Sequence, residues 1–390
     1  MSKDNIMNNY SRKNVTFVKG IGSRVYDENS KEYLDFVAGV AVNCLGHSSP
    51  VIIDAIIKQS KELIHVSNLY WNNTQIELAK KLTDNSDFDK VFFCNSGTEA
   101  IEAALKIARK KGNKQKINKN EIIYMDNSFH GRTLGALSVT GQEKYQKDYM
   151  PLMKGTVSTP FNDKEKLISL VNENTCAIII EPIQGEGGVI CADKEFLLLA
   201  RDLCNEFSAL LIFDEVQCGV GRTGSLFAYQ DYGVIPDVIC LAKGLGGGFP
   251  IGAVMTNNEA SNVFVPGDHG STFGGNPLAC AVSISILNEL IDNNLIKELE
   301  VKSKYLYSKL STLVDKHDDI VSISGKGLLL GLKVKIEPAK VVDLCFEKGL
   351  LVVGAGKDVI RVVPALNVSE KDIDDFINIL DEVFTTNKEN

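Results

Sequence analysis

Val238-Ile239-Cys240-Leu241-Ala242-Lys243-Gly244-Leu245-Gly246-Gly247-Gly248-Phe249-Pro250 is the stretch whose reading decides the fold. Its first five residues are a strand-like apolar run, and the glycines form a loop. Lys243 stands at the junction. A lysine is seldom wanted at the end of a buried strand, because desolvating an ammonium is costly. The same burial lowers its pKa and makes the amine a nucleophile toward an aldehyde. A second apolar run, Ala209-Leu210-Leu211-Ile212-Phe213, ends in Asp214-Glu215-Val216-Gln217. Two buried strands thus end in an acid and an amine. That is the pair a pyridoxal phosphate (PLP) site needs, an acid for the pyridinium nitrogen and an amine for the aldehyde.

Outward from these strands, apolar runs alternate with helical patterns from about residue 88 to 256. The runs are Val91–Cys94, Ile122–Met125, Ala177–Ile180, Leu210–Phe213, Val238–Leu241 and Ala253–Met255, with amphipathic stretches such as Glu99–Lys111 and Lys194–Phe207 between some of them. Buried strands alternating with helices predict a mostly parallel α/β sheet covered on both faces. The two ends differ. Residues 15–45 read as short antiparallel strands turning at Asp27-Glu28-Asn29-Ser30. Residues 277–390 open with a long helix from Leu278 to about Asn293 and continue as α+β. The expected division is 1–48 and 277–390 in a smaller α+β domain, and 49–276 in the large one.

The bulk numbers bound the function. A chain of 390 residues accommodates two domains with sizeable cores. A net charge of −8 argues against a nucleic-acid footprint, though a few arginines in a cleft still suit an anionic substrate. The nine cysteines are scattered with no CxxC, which predicts reduced thiols and a cytoplasmic protein. The start, Met1 to Asn14, is polar and lacks an apolar signal segment, and no run reaches membrane-spanning length. The five histidines show no metal-ligand spacing, so no metal is expected.

Four loops complete the candidate site. Asn95-Ser96-Gly97-Thr98-Glu99-Ala100 joins a strand to an alanine-rich helix. Ser96 and Glu99 have capping-box spacing, Gly97 admits close backbone approach, and the helix start with the Thr98 hydroxyl makes an anion site. Ser128-Phe129-His130-Gly131-Arg132-Thr133 follows a strand; Phe129 suits stacking on a planar ring and Arg132 suits a carboxylate. Glu181-Pro182-Ile183-Gln184-Gly185-Glu186-Gly187-Gly188 offers Glu186 as a partner for an arginine. Arg361, flanked by Ile360 and Val362, needs one if buried. His269-Gly270-Ser271-Thr272-Phe273 supplies hydroxyl donors for a phosphate.

A rival reading hangs on Gly219-Val220-Gly221-Arg222-Thr223-Gly224, which matches GxGxxG and raises an NAD-dependent dehydrogenase. That fingerprint needs a helix opening at the glycines and an acid about 20 residues later. Here no sustained helical period follows, and Asp214 and Glu215 come before the glycines. The dinucleotide reading stays as the alternative of a different class, disfavoured on both counts.

In order and spacing, the motifs GSRVYD, NSGTEA, SFHGRT, EPIQGEGG, FDEVQCGVGRTG, LAKGLGGGFPIGA and HGSTFGGNP resemble those of the class III, ω-amino-acid aminotransferases. The resemblance spans about Gly20 to Pro364 and within the class is nearest the branch acting on acetylornithine. It implies the PLP fold-type I architecture, with a seven-stranded sheet, and a homodimer with shared active sites. It implies that Lys243 bonds pyridoxal 5'-phosphate and shuttles the proton, and that Asp214 holds the pyridine nitrogen protonated. Val216 and Phe129 would cover the ring faces, and Gln217 would contact the ring hydroxyl. Ser96, Gly97 and Thr98 would bind the phosphate with Thr272 of the partner subunit. Arg132, assisted by Ser271 across the interface, would hold the substrate carboxylate. Glu186 would mask Arg361 until 2-oxoglutarate needs a second clamp. The implied donor is N-acetylornithine; succinylornithine, ornithine and 4-aminobutyrate are the alternatives. Arg24 falls where ornithine-acting members resemble one another in having a tyrosine. The expectation is that its cation repels a free α-ammonium and tolerates an acylated one.

Overall fold

The structure, a computed structural model, describes residues 5–388. Its centre is a seven-stranded sheet. In chain order the strands are β1 (Lys90–Cys94), β2 (Glu121–Met125), β3 (Thr156–Thr159), β4 (Thr175–Ile180), β5 (Leu210–Asp214), β6 (Val238–Leu241) and β7 (Gly252–Thr256). Across the sheet they run β1-β7-β6-β5-β4-β2-β3. The ladders joining β6, β5, β4, β2 and β3 are parallel, whereas β7 is antiparallel to β6 and to β1. The expected mostly parallel sheet is what forms, with β7 as the reversed strand.

The residue pattern explains the layers. All five residues of β5 are buried. Leu211 and Phe213 face one hydrophobic cluster with Ile178, Ile180, Ile239 and Leu241; Leu210 and Ile212 face the other with Ala177, Ile179, Val238 and Cys240. Alternation with both faces apolar is what a sheet covered on two sides demands. On the second face lies α1 (Gly97–Gln115), whose Ala100, Ala103, Ala104 and Ala108 let it approach the sheet closely. Phe213 is fully buried, and truncating such a side chain to alanine costs about 3–5 kcal/mol.

The edge strand β3 has no counterpart in the sequence reading. Thr156-Val157-Ser158-Thr159 is polar and only half-buried, because an edge strand has one neighbour and exposes its rim. The predicted hairpin near the start is present as Phe17–Ile21, Arg24–Asp27 and Glu32–Asp35, paired antiparallel. Leu350–Leu351 joins that sheet in parallel beside Glu32–Asp35, so the two ends of the chain share one layer. The long helix expected from Leu278 runs Pro277–Leu287 and ends in a π turn, Asn288–Asp292. The C-terminal segment adds β8 (Ile320–Lys326), β9 (Leu329–Val334), β10 (Val353–Ala355) and β11 (Val359–Val362), ordered β8-β9-β11-β10.

One segment is strained. Ala38, Gly39, Val40 and Ala41 all have positive φ, at 47°, 62°, 65° and 63°. This is a turn of left-handed helix, which costs L-residues about 1–2 kcal/mol each. Asp35 holds its entry by accepting the Val37 and Ala38 N–H groups at 2.9 Å, and Cys44 Sγ tethers its exit to the Gly244 carbonyl at 3.1 Å. The turn delivers Val42 to the wall of the central cavity.

Candidate active site

The sheet's carboxyl edge carries the site, as open α/β sheets require. Asp214 ends β5, Lys243 follows β6 by one residue, Ser96-Gly97-Thr98 follow β1, Phe129 and Arg132 follow β2, and Glu181 follows β4. These side chains converge on one cavity of about 400 Å³, which Glu186, Val216 and Gln217 also line.

Lys243 sits at φ 42°, opening a 3-10 turn, Lys243–Leu245. Burial and the neighbouring Arg361 charge lower its ammonium pKa to about 8, against the opposing pull of Glu186, Asp214 and Glu181. The neutral amine therefore becomes the major form as pH rises through 8. The rate at which the apoprotein captures PLP should climb across that pH and level off above it. Stopped-flow absorbance over a pH series checks this; a midpoint near 10 would mean the amine is not desolvated.

Asp214 is buried between two donors. Its Oδ1 accepts the Val216 N–H at 2.9 Å, and its Oδ2 lies 2.7 Å from His130 Nδ1. His130 is the residue the sequence reading left without a role. It is fully buried at its side chain, and its Nε2 has no partner among the described residues. Its place next to Phe129 in the SFHGRT loop was the available signal. Glu181 was passed over too. Its Oε2 accepts the Phe129 N–H at 3.0 Å, fixing that ring's backbone. Burial, then the charge of Asp214, pushes the Glu181 carboxyl well above the usual carboxylate range.

At the other end of the cavity α1 begins. Ser96 caps it by accepting the Glu99 N–H, while Glu99 Oε2 accepts from Asn95 N at 2.7 Å. The first amides of a 19-residue helix thus face the cavity free to bind an anion. Gly97 is sterically required: a Cβ there would lie 2.7 and 2.9 Å from the Val216 methyl groups. Gly97→Ala should push Val216 into the space for a planar ring and weaken PLP retention roughly tenfold. Equilibrium dialysis reads it, and unchanged retention would place the ring elsewhere.

Arg361 is 1% exposed. Its Nη1 donates to Glu186 Oε1 at 2.5 Å and to Gln217 Oε1 at 3.0 Å. Burial opposes the Glu186 charge, but the Arg361 guanidinium more than offsets it and holds the carboxyl below its ordinary value. Gln217 here turns its oxygen toward Arg361. The loop Gly354–Lys357 backs this pair: the Gly356 N–H donates to the Glu186 carbonyl at 3.0 Å. Arg132 stands at the mouth, exposed, its guanidinium 3.8 Å from the Tyr145 ring centroid. Tyr145 is a support that the sequence reading did not single out.

Three expected residues lie apart from this cavity. Ser271 accepts the Asn95 Nδ2 hydrogen at 3.0 Å from behind, and Thr272 is exposed on the outer surface. Arg24 is bound by Glu32, by Asp372 at 2.9 Å and by Asp375 at 2.7 Å, in a surface hollow with Lys348 and apart from this cavity. Among the described residues no cluster of His, Cys, Asp and Glu is arranged to hold a metal ion, and no helix is long and apolar enough to cross a membrane.

The family model "Aminotransferase class-III" matches residues 6–384. The chain belongs to the class-III aminotransferases. Such an enzyme from Clostridium acetobutylicum, named acetylornithine aminotransferase, is 56% identical over 387 residues, covering 98% of this chain and 99% of that one. The succinylornithine transaminase of Photorhabdus laumondii is 49% identical, covering 92% of this chain and 90% of its own. A solved structure of the Toxoplasma gondii ornithine aminotransferase, described with partial occupancy of PLP at its active site, superposes with a TM-score of 0.93. It is 34% identical and covers 99% of this chain and 93% of its own. The class-III fold therefore serves relatives named for three different amine donors.

Proposed function

We propose that this aminotransferase uses pyridoxal 5'-phosphate to move the δ-amino group of N2-acetyl-L-ornithine to 2-oxoglutarate, giving N-acetyl-L-glutamate 5-semialdehyde and L-glutamate. In this reading it is a cytoplasmic homodimer in arginine biosynthesis. One observation carries the chemistry: a desolvated lysine and a buried aspartate line one cavity whose far end is a helix N-terminus. The residues fit the cofactor. Gly97 leaves room for its ring against Val216, and the amides of Gly97 and Thr98 with the Ser96 cap suit its phosphate. When bound, PLP supplies the electron sink for the carbon that loses its proton.

The chain's own residues do the rest. Lys243, neutral in part near pH 8, would hold the cofactor through its aldehyde, and its amine, once free, would move the proton at the donor Cδ. Asp214, oriented by Val216 N–H and His130, would hold a fixed charge for the cofactor's pyridine nitrogen. Phe129 and Val216 would bound the ring faces, and Gln217 lies within the same wall. Arg132, stacked on Tyr145, is free to fork onto the donor carboxylate. Glu186 neutralises Arg361 while the donor is bound; a dicarboxylate replaces that charge by its own.

The homodimer is supported by the outer surface. Leu69, Tyr70, Trp71 and Phe273 are mostly exposed, Trp71 by 86%. Asn68 ties their segments together through the Ser271 and Gly274 carbonyls. A contiguous apolar patch on a soluble chain marks an interface. A second copy there gives Ser271 and Thr272 a cavity to serve, with Thr272 reaching the partner's cofactor phosphate. The acetyl donor is supported by the Clostridium acetobutylicum relative.

The test is an absorbance titration of the purified holoprotein with N-acetylornithine and no oxo acid. Bleaching of the yellow band at low donor concentration is expected, and no response overturns the donor. Bleaching by succinylornithine at tenfold lower concentration would move the enzyme to the succinyl branch.

A further inference from the structure

The GxGxxG-like loop disfavoured as a dinucleotide site still needs an account, because its arginine is buried. Arg222 is 2% exposed, and among the described residues no carboxylate pairs with it. Burial lowers its pKa to about 10, so it remains a cation at neutral pH. Its partners are backbone carbonyls: Nη1 donates to Leu328 O at 3.2 Å and to Pro364 O. The Leu328 N–H returns a bond to the Arg222 carbonyl at 3.0 Å. The loop is shaped to place it, with Val220 and Gly221 at positive φ.

The identity of those carbonyls matters. In the antiparallel β9–β11 ladder, Leu330 faces Val362 and Gly331 faces Arg361. Carrying the register two residues further brings Leu328 opposite Pro364, where the ladder has ended. The guanidinium takes the place of the missing rung. It thereby fixes the end of the strand that carries Arg361, three residues from the clamp. Its own loop continues directly from β5 and Gln217, so it also ties that clamp to the strand that carries Asp214.

We propose that Arg222 is a positioning residue that sets the distance between the Arg361 clamp and the reacting centre, and so the preference for dicarboxylate over monocarboxylate ligands. This rests on the reading of Arg361 given above. It accounts for a buried charge that the transamination chemistry does not use.

The test uses PLP-loaded enzyme and two unreactive ligands, glutarate and butyrate, with Kd measured by calorimetry. Wild type should bind glutarate more tightly. In Arg222→Met the glutarate Kd should rise roughly 10–100-fold, the scale of a small misplacement, while the butyrate Kd and the cofactor band stay within twofold. Arg222→Lys, which reaches one carbonyl, should fall between. If wild type shows no preference for glutarate, the reading of Arg361 fails and the inference with it. If wild type prefers glutarate and both variants keep that preference, Arg222 does not position the clamp. Parallel loss of both ligands, or failure of both variants to fold, makes Arg222 a structural residue and overturns the proposal.

Discussion

Lys243→Ala is expected to lower turnover by at least roughly 10⁴-fold while the protein still binds PLP without a covalent bond. Positioned proton transfer alone contributes roughly 10²–10⁴-fold, and this residue also attaches the cofactor. Among the described residues no other lysine lines the cavity. The proposed holders stay in the variant: the α1 amides, Thr98, Asp214, Val216 and Phe129. Steady-state transamination gives the rate. Borohydride reduction followed by mass spectrometry gives the linkage, as an adduct in wild type and none in the variant. A variant that turns over at the wild-type rate would mean another amine does the work.

Asp214→Asn should keep the shape and remove the charge. Asparagine's oxygen can still accept the Val216 N–H, so the strand end stays in place. In the proposed function, the group that would keep the pyridine nitrogen protonated is then neutral, and the ring withdraws electrons less strongly. A loss of roughly 10²–10³-fold in kcat is expected, about 3–4 kcal/mol of barrier. Glu181 supplies an internal control. Burial, then the Asp214 charge, pushes its carboxyl up, and that burial persists in the variant, opposing a new anion in place of the lost one. A pH–rate profile that merely shifts, with the wild-type plateau restored, would show that Glu181 had taken over.

Why some of this was legible in the sequence and some was not follows from the range of the interactions. Strands β4, β5 and β6 are continuous apolar runs because both faces are buried, and such runs stand out. Asp214 and Lys243 interrupt those runs at their ends, and the interruption is the signal. Edge strand β3 gives none, since its outer side meets water. The left-handed turn at Ala38–Ala41 is invisible for a different reason. Only Gly39 favours that backbone; the alanines and Val40 are held in it between the local Asp35 cap and the long-range Cys44 bond to Gly244. His130 has no special context in sequence, and its role depends on Asp214, 84 residues away. The ion pairs of Arg24 were not legible, because a motif position fixes a residue's neighbours along the chain, not the carboxylates of a helix that arrives after residue 370.

The exposed row Leu69-Tyr70-Trp71 with Phe273 has a thermodynamic consequence if a second copy covers it. Association then becomes part of the folding equilibrium, and mass action enters both stability and catalysis. Each tenfold dilution removes about 1.4 kcal/mol per dimer from the balance. Because Thr272 lies on that same surface, dilution into monomers would, in the proposed dimer, remove a phosphate ligand along with the stabilising contacts. Cofactor, fold and concentration are thus linked variables, and added PLP opposes the effect of dilution on all three.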